Sequence, residues 1–263
     1  MIDPLILPLK KVPNARDLGN YSTQSGQRIK KQRLIRTGKL YKLPQSDVAF
    51  LEKYGVNQII DLRSLREVKA EPDSKILAAK HLVIPIHARG DADVEERLAQ
   101  LRSKYAEDQY AGFKKMCLQY RSSVLDKGAQ AAFHKVLVAL AENKSGATIF
   151  HCSEGKDRTG LVTFYLLFIL GVDLEIIRQD YLFSNLMLDD YRAQMTKRVI
   201  ANGGNFQLQA AIRSLGSVAN EYLDTGIFLM KERWGSIQNY IRTALQITPD
   251  IEESLRNNYL ADD

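Results

Sequence analysis

The 263-residue chain is predicted to be an α/β protein: a central, mostly parallel sheet of four or five strands flanked by helices, with a helical C-terminal portion. Three observations predict it. Short apolar runs rich in β-branched residues alternate with segments of helical period between Tyr21 and Val172. The apolar segment Leu161–Leu170 follows a strand-like run and suits a central helix buried on all sides. After Asp173 the pattern is helical nearly to the end, with breaks at Gly203-Gly204, Gly216 and Pro249.

The elements follow in order. Tyr21–Thr37 places Gly26 between two short segments containing β-branched residues and reads as a β-hairpin. Ser46–Tyr54 is helical, with Ser46 as N-cap. Asn57–Leu62 is a buried strand and His81–Ile86 a second one, stopped by Pro85 and the polar stretch beyond. From Asp93 to about Asn143 the pattern is helical. Ala131, Phe133, Val136, Leu137, Leu140 and Ala141 share one face of that stretch. Gly146 ends it, Ala147–His151 is a third strand, and Gly171 ends the central helix. No composition shift marks a boundary, so residues 1–263 are taken as one domain. Within it, 1–42 form a basic N-terminal segment, 43–172 the α/β core and 173–263 the helical portion. Asn185–Gly216 is either a helical lid or a packed helix pair.

Composition narrows the function. The chain is 45% apolar and 26% charged, as globular domains are, which excludes collagen-like, disordered and disulfide-scaffold classes. Its 2 Cys, Cys117 and Cys152, lie far apart and imply no disulfide framework. Met1–Lys10 lacks the pattern of a signal peptide, so a cytoplasmic location is expected, with export by another route left open. Net charge is +6. Residues 1–42 carry ten Lys or Arg against Asp3 and Asp17, a balance of +8 that leaves the remainder at −2. Such a segment attracts anions, or it is simply a solvated Lys-rich hairpin.

Chemistry concentrates in His151-Cys152-Ser153-Glu154-Gly155-Lys156-Asp157-Arg158-Thr159-Gly160, between the third strand and the central helix. A strand–loop–helix turns successive backbone N–H groups toward one point at a helix N-terminus, which suits an anion. Gly155 supplies the positive φ a tight loop needs. Arg158 can grip a phosphate with two N–H groups, and Lys156 adds a second cation. A Cys152 thiol at the helix start, among cations, is expected to ionise readily and act as a nucleophile. Thr159 is expected within reach of the sulfur or of a leaving phosphate. His151 is expected to support the nucleophile through hydrogen bonds. Cys-x5-Arg alone arises by chance about one time in seven. Adding the His before Cys, the Gly after it and the hydroxyl after Arg lowers the chance to roughly 10⁻⁵. A nucleotide-binding reading of Gly155-Lys156 fails, because Phe150 stands where a Gly is needed and Asp157 where Ser or Thr is needed.

His151–Gly160 resembles the signature loop of cysteine-based protein-tyrosine and dual-specificity phosphatases. The Gly-Lys-Asp-Arg-Thr-Gly ending is most similar to a bacterial subfamily, some of whose members also hydrolyse phosphoinositides. Three further blocks resemble that subfamily: Asn14-Ala15-Arg16-Asp17-Leu18-Gly19-Asn20-Tyr21, Asp61-Leu62-Arg63-Ser64-x-x-Glu67, and Asp180-Tyr181-x-x-Ser184-Asn185. Ser153-Glu154, Ala15 and Asn20 depart from its usual residues, and Glu154 brings a negative charge to an anion loop. An inward Glu154 would disfavour highly charged substrates, whereas an outward one could meet the basic N-terminal segment.

The resemblance implies a protein-tyrosine phosphatase, with dual specificity left open, that hydrolyses phosphomonoesters through a phosphocysteine, with Cys152 as nucleophile and Ser153, Glu154, Gly155, Lys156, Asp157 and Arg158 around the phosphate. It also implies Asp157 as the acid that protonates the leaving oxygen. Capping the helix is the other role open to Asp157. Asp61, ending a strand, is expected to hold Arg158, or to be the acid itself. Asp91, Asp93 and Asp108 are weaker rivals. No metal and no cofactor are expected, and His81, His87 and His134 lack metal-ligand spacing. The expected partners are a phosphotyrosine protein or a phosphoinositide substrate, with phosphate or sulfate bound in the loop, contact with an anionic membrane surface and no nucleic acid. A phosphoinositide phosphatase is the rival enzyme, and a phosphate-binding pseudophosphatase the rival without catalysis.

Overall fold

The computed structural model of the chain describes residues 2–87 and 105–261. Asp91 and Asp93 therefore lie outside the described residues. The sheet has six strands: β1 (Leu5–Ile6), β2 (Arg16–Asp17), β3 (Leu34–Thr37), β4 (Val56–Asp61), β5 (Lys80–Val83) and β6 (Ala147–His151), in the order β1-β2-β3-β6-β4-β5. The last four run parallel, and the two-residue strands β1 and β2 extend the sheet antiparallel at one edge.

Strand periodicity explains how the sheet becomes buried on both sides. Leu34, Ile60 and Phe150 point to one face and join the larger core, while Ile35, Ile59 and Ile149 point to the other. The larger core is covered by α4 (Lys127–Glu142), α5 (Arg158–Ile169) and α11 (Pro249–Tyr259); α1 (Gln45–Lys53) covers the other face. The expected central helix is α5, with ten of its twelve residues buried.

Three details differ from expectation. The sheet has six strands rather than four or five, because the two-residue β1 and β2 add an antiparallel edge. The hairpin around Gly26 is confined to a short turn bridged at Ser22 and Arg28. Leu34–Thr37 leaves it and pairs parallel with β6, because all four residues are buried and need partners inside the sheet. Helix α1 begins at Gln45 after Pro44, so Ser46 lies inside its first turn rather than capping it.

Six further helices complete the described chain: α2 (Leu65–Ala70), α3 (Ala111–Leu125), α6 (Leu174–Met187), α7 (Asp189–Ala201), α8 (Phe206–Gly216) and α9 (Asn220–Trp234). After α9, the short α10 (Ile237–Asn239) runs into a π-turn, Tyr240–Ala244. Helices α7 and α8 share a small apolar cluster of their own, Val199, Leu208 and Ile212. Helix α8 also presses on α3: a Cβ on Gly112 would lie 2.2 Å from the Ala211 carbonyl oxygen. Among the described residues no helix is long and apolar enough to cross a membrane.

Register positions the site. Thr37 and Asp61 both align with His151, so the chain leaves β3, β4 and β6 at the same carboxyl edge. The loop Cys152–Asp157 starts there.

Candidate active site

Cys152 follows β6 directly and is 3% exposed. The loop turns at Gly155, whose φ is +71°; a Cβ there would sit 2.4 Å from the Thr37 carbonyl oxygen, so only glycine fits. Carbonyl oxygens of the loop point away from the site and are held from behind. Asn14 Nδ2 donates to the Gly155 oxygen at 2.9 Å and to that of Glu154 at 3.2 Å. Arg36 donates to the Gly155 oxygen at 2.8 Å, and the Lys39 N–H to that of Ser153 at 3.1 Å. The N–H groups of Ser153 to Arg158 donate to no protein oxygen among the described residues, which leaves them open to an outside acceptor.

The backing is ionic and fully buried. Asp180 of α6 accepts from Arg16 Nε at 2.8 Å, from Arg36 and from the Tyr21 hydroxyl at 3.0 Å. Arg16 also reaches the Asp180 carbonyl oxygen at 2.8 Å and Ser184 Oγ at 3.2 Å. Burial favours the neutral acid, but the two guanidinium groups win and hold the Asp180 carboxyl down at about 2. This explains two sequence blocks at once: Asn14 to Asp17 and Asp180 to Ser184 meet to brace the loop. It also accounts for two of the ten N-terminal cations, since Arg16 and Arg36 are internal counter-ions with no exposed surface.

Arg158 opens α5, and its partner is Glu67, not Asp61. Its two terminal nitrogens donate to the two carboxylate oxygens of Glu67, each at 2.8 Å. Ser153 Oγ donates to Glu67 Oε1 at 2.6 Å. Glu67 closes the capping box of α2: Ser64 Oγ and N–H donate to Oε2 at 2.8 and 2.9 Å, and the Glu67 N–H returns to Ser64 Oγ. Burial would raise the Glu67 carboxyl, yet Arg158, Ser153 and Ser64 hold it well below the usual carboxylate range. Burial works against the Arg158 charge as well, but Glu67 and the neighbouring Cys152 and Asp157 hold that guanidinium well above its usual range.

Asp61 is taken by a nearer cation. Arg63, two residues on, places Nη2 2.7 Å and Nε 2.9 Å from the Asp61 carboxylate, and its backbone N–H also donates there. The expectation that Asp61 holds Arg158 is therefore corrected. Arg63 pairs in addition with Asp73 at 2.8 Å, whose other oxygen lies 2.8 Å from His151 Nε2 and 3.1 Å from His81 Nε2. Asp61, Asp73, His81 and His151 thus gather ligand atoms within 4.8 Å of one another, and Arg63 is the cation both carboxylates already hold. His151, fully buried, is fixed by Asp73 next to Cys152.

Asp157 stands at the N-terminus of α5, but its side chain does not cap the helix. Tyr120 O–H of α3 donates to its Oδ1 at 3.0 Å, and Lys156 Nζ to its Oδ2 at 2.6 Å. Lys156 is 2% exposed and also donates to the Leu215 carbonyl oxygen of α8 at 2.9 Å. Burial lowers its ammonium, but Asp157 and Glu154 outweigh burial and raise it above the usual lysine range. Glu154 turns toward α7, where the Tyr191 hydroxyl donates to it at 2.6 Å, and Lys156 lies 3.7 Å away. Among the described residues its carboxylate makes no ion pair with the basic N-terminal segment. The Thr159 hydroxyl is buried and makes no hydrogen bond among the described residues, to the sulfur or otherwise. Cys117 packs against the larger core, and Asp108 pairs with Lys114 on the surface.

Sequence reasoning thus placed the loop and missed what holds it. Glu67 stood in view as the last residue of a Ser-x-x-Glu capping pattern. Nothing in the sequence singles out Tyr120 or Asp73.

A model of the tyrosine phosphatase family matches residues 7–261. The chain is 29% identical over 264 aligned residues to a Cupriavidus necator protein named, provisionally, as a tyrosine-protein phosphatase, covering 97% of this chain and 88% of that one. It is 28% identical to the triple specificity protein phosphatase PtpB of Mycobacterium tuberculosis, over 88% of this chain and 91% of the relative. A tyrosine-protein phosphatase of Nostoc commune aligns at 28% identity over 57% of this chain and 47% of its own. A match over this length and the loop geometry agree: the chain belongs to the tyrosine phosphatase family and is a protein-tyrosine phosphatase enzyme.

Proposed function

We propose that the enzyme hydrolyses phosphomonoesters through a phosphocysteine formed on Cys152. The observation that carries this reading is the loop itself. Cys152 and Arg158 stand at its two ends, its N–H groups donate to no protein oxygen among the described residues, and Arg158 is held fork to fork by Glu67. The thiolate form of Cys152 attacks phosphorus, the bond to the leaving oxygen breaks, and that oxygen takes a proton from Asp157. Loop N–H groups and Arg158 stabilise the charge on the transferring phosphoryl group. Asp157 then takes a proton from water as it attacks the phosphocysteine, releasing phosphate and restoring the thiolate.

Substrate class belongs to the same proposal. A phosphotyrosine protein is the primary substrate, and the name of the triple specificity relative favours a site open to more than one class of phosphorylated group. A phosphoinositide reading would need Lys156 for a second phosphate. Here Lys156 is buried and engaged by Asp157 and Leu215, so it must first be released. Residues 185–216 serve as a cover over the loop, supported by the contacts of Tyr191 and Leu215 with Glu154 and Lys156. Cys152→Ser is expected to abolish turnover of p-nitrophenyl phosphate without changing the far-UV spectrum. Mass spectrometry of the acid-quenched wild-type enzyme should find phosphate on Cys152. Retained turnover, or phosphate on another residue, overturns the mechanism.

A further inference from the structure

We propose that Tyr120, oriented by Tyr181, is a positioning residue for the general acid: it holds Oδ1 of Asp157 and so assigns proton delivery to Oδ2. The inference rests on the reading of Asp157 as the acid and goes beyond it. Both phenols are buried. Tyr181 O–H of α6 donates to the Tyr120 oxygen at 2.8 Å, and Tyr120 O–H donates to Asp157 Oδ1 at 3.0 Å. The rings meet edge to face, 6.2 Å between centroids, and Tyr222 packs on Tyr120 at 6.1 Å. Burial and the Asp157 carboxylate raise the Tyr120 hydroxyl well above the usual phenol range, so it remains a donor.

A carboxylic acid can carry its proton on either oxygen. Oδ1 already accepts the Tyr120 hydrogen, so the acid proton is confined to Oδ2, the oxygen that Lys156 holds in this conformation. When Lys156 leaves it, Oδ2 can bind the proton and pass it to the leaving oxygen as the P–O bond breaks and the S–P bond forms. The Tyr181–Tyr120 chain fixes the carboxyl plane through that exchange. Without it, Asp157 sits at a helix end with no cap bond of its own, and its carboxyl group can rotate.

The test compares two substrates, phenyl phosphate with a poor leaving group and p-nitrophenyl phosphate with a good one. Tyr120→Phe should lower kcat on phenyl phosphate about tenfold with KM little changed, and lower it much less on p-nitrophenyl phosphate. Tyr181→Phe should show the same pattern more weakly. Tyr120→Phe added to Asp157→Asn should cause no further loss, because Tyr120 acts only through Asp157. Wild-type kcat in Tyr120→Phe on phenyl phosphate overturns the proposal. So does an equal loss on both substrates or a raised KM, which would mark a structural role. Asp157→Asn alone separates the two readings: if it lacks the leaving-group dependence, the assignment of the acid fails; if it shows that dependence and Tyr120→Phe does not, the positioning role alone fails.

Discussion

The signature loop is held on two sides by different physics. On the strand side, Asn14, Arg16, Arg36 and Asp180 form an ionic clamp with no exposed side-chain surface on Arg16, Arg36 or Asp180. On the helical side, α7 and α8 touch the loop through the Tyr191 hydroxyl and the Leu215 carbonyl oxygen, and Tyr191 is 37% exposed. Buried charges are costly to separate, because each is left unpaired away from water. A hydroxyl at the surface exchanges one partner for water at little cost. The clamp is therefore the costlier of the two sides to open.

The largest expected effect lies in the clamp. Asp180→Asn leaves Arg16 and Arg36 without a buried counter-charge, and stability should fall by about 3–5 kcal/mol, read as a lower urea midpoint. A loss under 1 kcal/mol would show that the clamp is not what fixes the loop.

Glu67→Gln comes next. Gln can keep the capping box, but it cannot hold Arg158 by charge. Stability should change by about 1 kcal/mol or less, while kcat/KM should fall about tenfold or more on good and poor leaving groups alike. That uniform loss would distinguish the proposed phosphate grip of Arg158 from the proposed acid role of Asp157.

Acid should loosen the clamp reversibly. Asp180 has its carboxyl lowered from the ordinary 3.8 to about 2 by Arg16 and Arg36. A lowered folded value contributes stability that is fully present above 3.8 and is lost as the pH falls toward 2. Thermal midpoints measured between pH 5 and pH 2 should decline across this window. Tyr191→Phe should do least: stability within about 0.5 kcal/mol of wild type at neutral pH. A larger loss would make the helical side part of the scaffold, and the contrast between the two sides would disappear.

How much of this was legible in the sequence follows from how local each feature is. The loop from His151 to Gly160 is contiguous, and its strand and helix context comes from short-range periodicity, so it could be read directly. The partner of Arg158 could not. Asp61 and Glu67 lie in one block, and charge alone fits either; only the path of the backbone after Ser64 turns Glu67 to Arg158 and leaves Asp61 to Arg63. The sequence offers Lys156 as a second cation beside the phosphate, yet α8 buries it, a contact made across 59 residues of chain. Local pattern joins Leu34–Thr37 to the hairpin, because its parallel partner β6 lies more than 100 residues further along the chain, at Ala147–His151.

The clamp also has a consequence for the timing of folding. Arg16 and Asp180 are 164 positions apart, and Arg36 and Asp180 are 144 apart. Contacts this distant carry a large closure cost and form late. During synthesis the signature loop, with Cys152, leaves the ribosome before the Asp180 carboxylate that neutralises both arginines. Until α6 follows, two guanidinium groups would have to be buried without a counter-charge, so the nascent chain has reason to leave β2 and β3 undocked. The last residues to join the clamp thus decide when the loop takes its shape, and a half-made chain carries Cys152 in a loop that is not yet closed.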